Sequence, residues 1–575
     1  MIGSLDFDFS SSAISQDRKE KAMVCSPEQC LRSEKEGRGL KNALTLSALC
    51  LVFSLPACAQ NRANVTIDLG KVVNVLTETS LGLPVVTSDE NSFSEAGIAN
   101  LRAAGITSVR YPGNRGVPDL YHWSTNTTSH YSGGDVPYVA PKSNIANLAL
   151  LAEKLGQAVM VVNYGSNLEG TGGGESAEAA ALVAYTNGHA GDTRALGKDS
   201  AGKDWRTVGD WASIRGQAPL AVDDGLNFLR IQHPNPFAFK LWQVGDEVYN
   251  NGYYGGDHTG NPDLHGAVPS SPKDLGKLKG NAKLSPAAYA ANFKQFAQAM
   301  KDVDPAILVG AAFAFPPDPD PNNHTWVPDW NKEVLKGACA NLDFVTLDWN
   351  LQYLLSPDYK TLDEASLLAN QGYNQTPLID QVVSRMLDDY KRSCPAGHVP
   401  RLAFAPAAVA AWPKVEHPLV KGLWVADFYA MLIESGSANI NWNEMYGDSM
   451  LSADRKTAGA VYFGLQMLHA VIHSPGDALV DTRSSTKLVA AHASHRRDGF
   501  VGLMLINKDP QNAATVTVTF KNGTLGSTGK RIDCVSGPSG AGAKLAVSPF
   551  SAPSEEFTVT VPAYAITDIL LPDHK

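Results

Sequence analysis

The sequence predicts an α/β fold, a (β/α)8 TIM barrel, followed by a C-terminal antiparallel β-sandwich. Three observations lead there. Between about Leu81 and Met450, short apolar runs alternate with amphipathic helical segments, eight times over. After about Pro475 the pattern changes to period-two alternation broken by Gly, Pro and Asn turns. The C-terminal ends of many of the earlier runs also carry acids, amides and aromatics. A parallel barrel collects its chemistry on that rim, whereas a doubly wound sheet would not spread such residues over so many strands.

Taken in order, residues 1–59 read as an N-terminal extension and secretory signal. Arg32, Lys35, Arg38 and Lys41 precede an apolar run, Ala43–Leu55, that ends in Pro56-Ala-Cys-Ala-Gln60. A basic flank, a short apolar core and a small-x-small exit specify export, with cleavage at Ala57-Cys58-Ala59. The run is too short for a transmembrane helix. The expected location is therefore secreted or periplasmic. Cys58 offers an alternative, a lipoprotein anchor, although Pro56 is unusual in such a box.

Residues 60–80 contain one strand, Asn64–Asp68, that can join the sandwich. Residues 81–474 form the barrel. Its strands are expected at Leu81–Val86, Thr107–Tyr111, Ala158–Tyr164, Phe237–Val244, Ile307–Phe313, Phe344–Leu347, Leu402–Phe404 and Ala438–Trp442. Helices are expected at Glu95–Ala104, Asn144–Leu155, Ala287–Val303 and Pro377–Lys391. Residues 475–575 supply the sandwich, with strands at Leu488–His492, Gly499–Ile506, Ala514–Phe520, Phe557–Val561 and Ala565–Leu571.

Composition narrows the partner. The formal net charge of −10 argues against nucleic acid, which would want a basic face. An 18% charged content fits an uncharged partner such as a carbohydrate. No Cys/His spacing resembles a metal site, and no cofactor is expected. Beyond the signal stand Cys339, Cys394 and Cys534. After export a Cys339–Cys394 bridge is one expectation, and three unpaired thiols the other.

The chemistry concentrates in Leu241-Trp-Gln-Val-Gly-Asp-Glu-Val-Tyr249 and the following Asn250-Asn-Gly-Tyr-Tyr-Gly255. A buried strand ends in two adjacent acids and runs into an aromatic, Gly-rich loop. Carboxylates at the end of an apolar strand are costly unless hydrogen-bonded or used. Flat apolar faces beside a proton donor suit a sugar pocket, so Glu247 is the first catalytic candidate. Other strand ends add Arg110, Asn163 and Tyr164, then Asp246 and Tyr249, then Asp348 and Trp349, and finally Trp442 with Glu444. In a barrel these converge on one rim. The run Gly170-Thr-Gly-Gly-Gly174 follows a strand and precedes a helix, but it lacks both the Gly-Lys-Ser/Thr ending and the GxGxxG spacing of phosphate loops.

Each candidate has a structural alternative. Glu247 could be an acid satisfied by Arg110, Glu444 could pair with a neighbouring donor, and Trp123, Trp349 and Trp442 could be core.

The sequence resembles clan-A retaining glycoside hydrolases, and most of all the α-L-arabinofuranosidase family with its secreted bacterial relatives. The shared motifs are Arg110-Tyr-Pro-Gly113 with Tyr121-His-Trp123, Val162-Asn-Tyr-Gly165, and Gly245-x-Glu-Val-Tyr-x-Asn-Gly-Tyr-Tyr-Gly255. The resemblance implies that Glu247 is the general acid/base and that arabinofuranosides are the substrate. Four positions depart from the family pattern. Asp246 replaces an Asn that holds the sugar 2-hydroxyl, keeping an acceptor and losing a donor. Asp348-Trp349-Asn350 replaces His-Trp-Tyr. Asn114 replaces a Gly. The nucleophile position, in Thr-Glu-x-Asn, falls on Pro406 within Ala405-Pro406-Ala407-Ala408.

Proline can neither form a glycosyl-enzyme nor accept a proton. Glu444 is then the expected second carboxylate, with Glu416 and Asp348 behind it. Two readings follow: a divergent hydrolase with a relocated carboxylate, or a carbohydrate-binding relative that has lost turnover.

Overall fold

A computed structural model of the chain describes residues 61–113, 116–130, 136–255, 261–268, 274, 277–314, 327, 329–350, 368, 376–408, 417–442, 445, 450–451, 457–536, 543–552 and 554–574. The expected export signal with Cys58, together with Asn114, Glu416 and Glu444, lies outside them.

The chain opens with β1 (Asn61–Val75), which belongs to the C-terminal sheet. Eight strands then close a barrel. They are β2 (Leu81–Pro84), β3 (Ser108–Tyr111), β6 (Gln157–Val162), β7 (Leu241–Val244), β8 (Leu308–Phe313), β9 (Phe344–Asn350), β10 (Arg401–Ala408) and β11 (Asn439–Trp442). A two-stranded ribbon, β4 (Tyr121–His122) and β5 (Thr127–Thr128), decorates the loop after β3. Every neighbouring pair in the barrel is parallel, and β11 returns to β2. All eight expected strands are present. Parallel neighbours need a crossover, and helices supply it here.

Local chemistry sets those helices. Ser94 caps Glu95–Ala103 by accepting from the Gly97 N–H, and Asn144 caps Ile145–Leu155 through the Asn147 N–H. Ser285 caps Pro286–Val303, with Pro286 in the first turn where its missing N–H is harmless. The expected Pro377–Lys391 helix spans Thr376–Ser393. Among the described residues no helix is long and apolar enough to cross a membrane.

Inside the barrel, Val159, Leu241, Phe344 and Ala403 pack as one apolar layer. Gly310 belongs to it, because a side chain there would collide with the Phe344 ring. Ser108 and Arg110 on β3, Gln243 on β7, and Asn439 and Asn441 on β11 are buried polar groups of the barrel, and Asn439 Nδ2 donates to Ser108 Oγ at 3.2 Å. In β10 the register shifts between Phe404 and Ala407 against both neighbours. Pro406 sits in that interval, where a residue without an N–H interrupts the ladder.

The C-terminal strands are antiparallel with one exception and join edge to edge. They form one hydrogen-bonded sheet of nine strands, in the order β17-β16-β19-β14-β13-β12-β1-β15-β18. Their ranges are β12 (Ala478–Ser484), β13 (Val489–His495), β14 (Phe500–Asn507), β15 (Ala514–Lys521), β16 (Thr528–Ser536), β17 (Ala543–Ser551), β18 (Glu556–Val561) and β19 (Ala565–Pro572). One pair, β1 with β15, is parallel. Val65, Ile67, Leu503, Leu505, Val516, Val518 and Ile569 share the core of this sheet.

Cys339 and Cys394 are bridged, with Cα atoms 5.2 Å apart, and Cys534 is a buried free thiol. The bridge closes a span of 55 residues. The chain-entropy model gives about 4 kcal/mol for such a loop. Converting both cysteines to alanine should lower unfolding free energy by up to that amount, measured by urea denaturation under non-reducing conditions.

Helix Val420–Glu434 meets the sheet through a charge quartet in which Asp427, His492 and Lys508 are buried and Glu434 is half-buried. His492 Nε2 lies 2.9 Å from Asp427 Oδ1, His492 Nδ1 lies 2.8 Å from Glu434 Oε1, and Lys508 Nζ lies 2.5 Å from Asp427 Oδ2. Burial alone would depress the His492 pKa, but the two carboxylates outweigh it and raise it to about 10. Asp427 is correspondingly held below its usual range: burial opposes ionisation, and Lys508 and His492 overcome it.

The raised His492 value means that its stabilisation is complete below the unfolded histidine pKa of about 6.5. It is lost as pH rises through about 10. Unfolding free energy should therefore fall between those values. His492→Gln should remove much of that slope and cost on the order of 3–5 kcal/mol near neutral pH, as read by urea titrations at stepped pH.

Candidate functional site at the barrel rim

Strand β7 carries the most informative segment. Its four residues are fully buried, and Trp242 anchors it from behind by donating to the Phe239 carbonyl at 3.0 Å. The chain then turns sharply. Gly245 adopts φ +70, and Glu247 adopts φ +45 and ψ 34. A non-glycine residue in the left-handed region costs about 1–2 kcal/mol, and such outliers gather at functional sites. The turn continues into a short 3-10 segment, Val248–Asn250. Asn250 returns its side chain to Glu247, donating from Nδ2 to Oε2 at 3.0 Å.

Asp246 and Glu247 have different surroundings. Asp246 forms a buried ion pair with Arg110 Nη2, its N–H donates to Asp119 Oδ2 at 3.0 Å, and its carbonyl accepts from Asn261. Arg110 also reaches Gln243 Oε1 at 3.4 Å. The sequence left open that Arg110 satisfies Glu247, and the structure pairs Arg110 with Asp246. Both acids are at least 94% buried, at relative exposures of 5% and 6%.

Asp119 was not singled out from the sequence. It lies in the turn after β3 and accepts from the N–H groups of both Tyr164 and Asp246, at 3.2 and 3.0 Å. One carboxyl group thus clips the ends of β6 and β7 together. Burial pushes its pKa well above the usual carboxylate range, and the carboxylates of Asp246 and Asp263 add to this against the two N–H bonds. A lone Asp beside a proline gives no sequence signal for this role, which depends on where two strands end.

The other predicted residues divide. Asn163 is buried in a loop network: Nδ2 donates to the Tyr121 carbonyl at 3.2 Å, and Oδ1 accepts from Ser166 N at 3.0 Å. Next to it His122 bridges Glu178, at 2.9 Å, and Ser129. Tyr164 is fully buried against helix Pro286–Val303, with ring centroids 4.9 Å from Tyr289, and its hydroxyl accepts from Asn292 at 3.1 Å. Trp442 is fully buried against Trp424 of helix Val420–Glu434, at 5.7 Å. Tyr249 is buried near Trp330 at 6.3 Å.

Tyr164 and Trp442 therefore pack between the barrel and its helices. Strand alternation is the signal that finds this: Asn163 and Asn441 face one way, Tyr164 and Trp442 the other. Asp348 and Trp349 lie on β9, opposite β10, and their side chains fall outside the described residues. Among the described residues, no cluster of His, Cys, Asp and Glu could hold a metal ion.

The structure thus brings together Arg110, Asp246 and Glu247, with Asp119 and Asn250 in support. One carboxyl, Asp246, is neutralised by a cation. The other, Glu247, accepts from the Asn250 amide.

No family model matches the chain, and no curated protein matches its sequence. Solved structures do. An α-L-arabinofuranosidase from Thermotoga maritima, in complex with arabinose, is 16% identical with a TM-score of 0.59, covering 89% of this chain and 100% of its own. The GH51 arabinofuranosidase of Xanthomonas axonopodis pv. citri is 15% identical with a TM-score of 0.58, covering 89% and 99%. A Paenibacillus polymyxa xyloglucanase of glycoside hydrolase family 44 is 12% identical with a TM-score of 0.54, covering 89% and 99%. At these identities the likeness is one of fold.

Arg110→Met should remove the cation that pairs with the buried Asp246 and destabilise the chain by about 3–5 kcal/mol. Adding Asp246→Leu should restore part of that loss, because the carboxylate that the guanidinium pairs with is gone too. Urea denaturation of both variants checks this.

Proposed function

We propose that this chain is an exported glycoside hydrolase-like protein that acts on arabinofuranosyl-containing glycans, with Glu247 as general acid/base. The observation that carries the reading is the placement of Glu247. It stands at the C-terminal end of the fourth barrel strand, in a left-handed backbone conformation, beside an acid already neutralised by Arg110. The arabinose complex of a similarly folded arabinofuranosidase supports the choice of sugar. In this reading residues 81–474 carry the site and 475–575 brace it. Residues 1–59 direct export, with lipid attachment at Cys58 as a variant.

Glu247 would protonate the glycosidic oxygen as the bond breaks. In retention a second carboxylate bonds to the anomeric carbon and Glu247 then activates the water that displaces it, and in inversion the second carboxylate activates the attacking water. A second carboxylate is required. Retention needs the pair about 5–5.5 Å apart, and inversion about 6.5–9.5 Å. Glu444 is our first choice, followed by Asp348 and Glu416. Arg110 and Asp246 would hold the site's charge, and Asn163, Tyr249, Trp349 and Asp348 would shape the pocket around the sugar.

A second reading has its own observation. Pro406 occupies the position where the resemblance places a nucleophile, at a register shift in β10. A protein that binds arabinosyl chains without cleaving them would tolerate that residue.

Hydrolysis of an aryl α-L-arabinofuranoside separates the two. Activity that falls about 10²–10⁴-fold in both Glu247→Gln and Glu444→Gln is the result expected of an acid/base pair. No turnover by the wild type, with arabinosyl oligosaccharides still bound, would establish the binding protein. Full activity in Glu247→Gln would remove Glu247 from the mechanism.

A further inference from the structure

The Gly170–Gly174 run takes no part in the Glu247 site. It borders a separate cleft of about 600 Å³, within the size range of small-molecule sites, about 300–1,000 Å³. His265, Lys283, Asn292 and Gln295 line this cleft with polar groups, and the buried Leu264 and Phe296 give it an apolar lining.

The glycines have a steric reason. A side chain on Gly173 would collide with the His265 ring, and one on Gly174 would come within 2.6 Å of the Asn163 carbonyl oxygen. The run is glycine so that bare backbone can form the cleft wall against His265 and the end of β6.

The wall groups are pre-set. His265 Nδ1 lies 2.8 Å from Asp263 Oδ1, and the imidazole packs on Tyr164 with centroids 4.5 Å apart. Asn292 uses its Nδ2 on the Tyr164 hydroxyl, which leaves its carbonyl oxygen as an acceptor. Gln295 and Lys283 are exposed at the cleft.

The charge pattern disfavours an anion. Glu175 stands immediately before helix Ser176–Asn187 and accepts from the Ser200 N–H at 3.1 Å. Asp263 backs His265. These carboxylates face a single lysine among the lining residues, so a phosphate at this glycine run would meet negative charge. Fixed amides, hydroxyls and an imidazole over an apolar lining instead suit an uncharged, polyhydroxylated chain.

The cleft is also tied to the acid/base turn. Asn250 holds Glu247, and its neighbour Asn251 donates to Asp263 Oδ2 at 3.0 Å. We infer that this cleft is a second glycan subsite, which takes an uncharged oligosaccharide arm of the substrate away from the bond that reacts. The inference rests on the carbohydrate reading above.

Isothermal titration of the full chain with arabinohexaose, xylohexaose and cellohexaose tests it, beside Lys283→Ala/Gln295→Ala and Glu247→Gln. Both cleft residues are exposed, so the double variant should fold, and its far-ultraviolet circular dichroism checks that. At least one hexasaccharide should bind the double variant about tenfold more weakly than the wild type, with binding and turnover of the aryl α-L-arabinofuranoside unchanged. Equal binding to wild type and double variant overturns the inference, as does binding to neither. Binding of inorganic phosphate that the double variant abolishes, with no hexasaccharide bound, overturns it in favour of an anion site. If a hexasaccharide binds through the cleft while the aryl arabinofuranoside neither binds nor reacts, the inference stands and the arabinofuranoside reading falls.

Discussion

A guanidinium inside the barrel dictates the arrangement of the rim. Arg110 is buried on β3, and a buried cation requires a charge partner within reach. Asp246 provides it, which fixes the end of β7 against β3 across the barrel mouth. Once Asp246 is held, the next residue has little freedom, and Glu247 takes up a left-handed conformation. Asp119 adds a second restraint by joining the last N–H groups of β6 and β7. The position of the candidate acid thus follows from an ion pair made by its neighbour.

The barrel was legible because its strands are short, apolar and β-branched while its helices are amphipathic, so two periods separate cleanly along the chain. Boundaries moved by a few residues, as at β10, which runs on to Ala408 through a proline. Less of the C-terminal sheet was visible. Strands β12, β16 and β17 are mixed in polarity and half exposed, as in Thr528–Ser536, so period two gives little signal there. The parallel pairing of β1 with β15 had no local signal either, because register between distant segments is set by the completed sheet.

At the site, chemistry read more clearly than orientation. Strand-end acids and amides pointed to the rim, and Arg110, Asp246 and Glu247 do meet there. Strand-end aromatics were a weaker guide. Tyr164 and Trp442 occupy the outward register of their strands and fill the space under helices. Asp119, Asp263 and His265 were invisible for a different reason: each sits in a loop whose neighbours come from elsewhere in the chain. The glycine run shows a related limit. Its spacing fits no phosphate loop and pointed to no other role, whereas in the structure it lets the main chain approach a ring.

The placement of β1 has a consequence for how the molecule is made. This strand lies at the start of the described chain, yet it is sandwiched between β12 and β15, with Asn61 opposite Ala514. A ribosome or translocation channel delivers the amino terminus first, and the barrel follows it. Throughout that interval both edges of β1 lack their partners, and unpaired edges invite association with other chains. Pairing of β1 is therefore complete only once residues 514–521 have arrived, and a truncation before them would leave one edge of the opening segment bare.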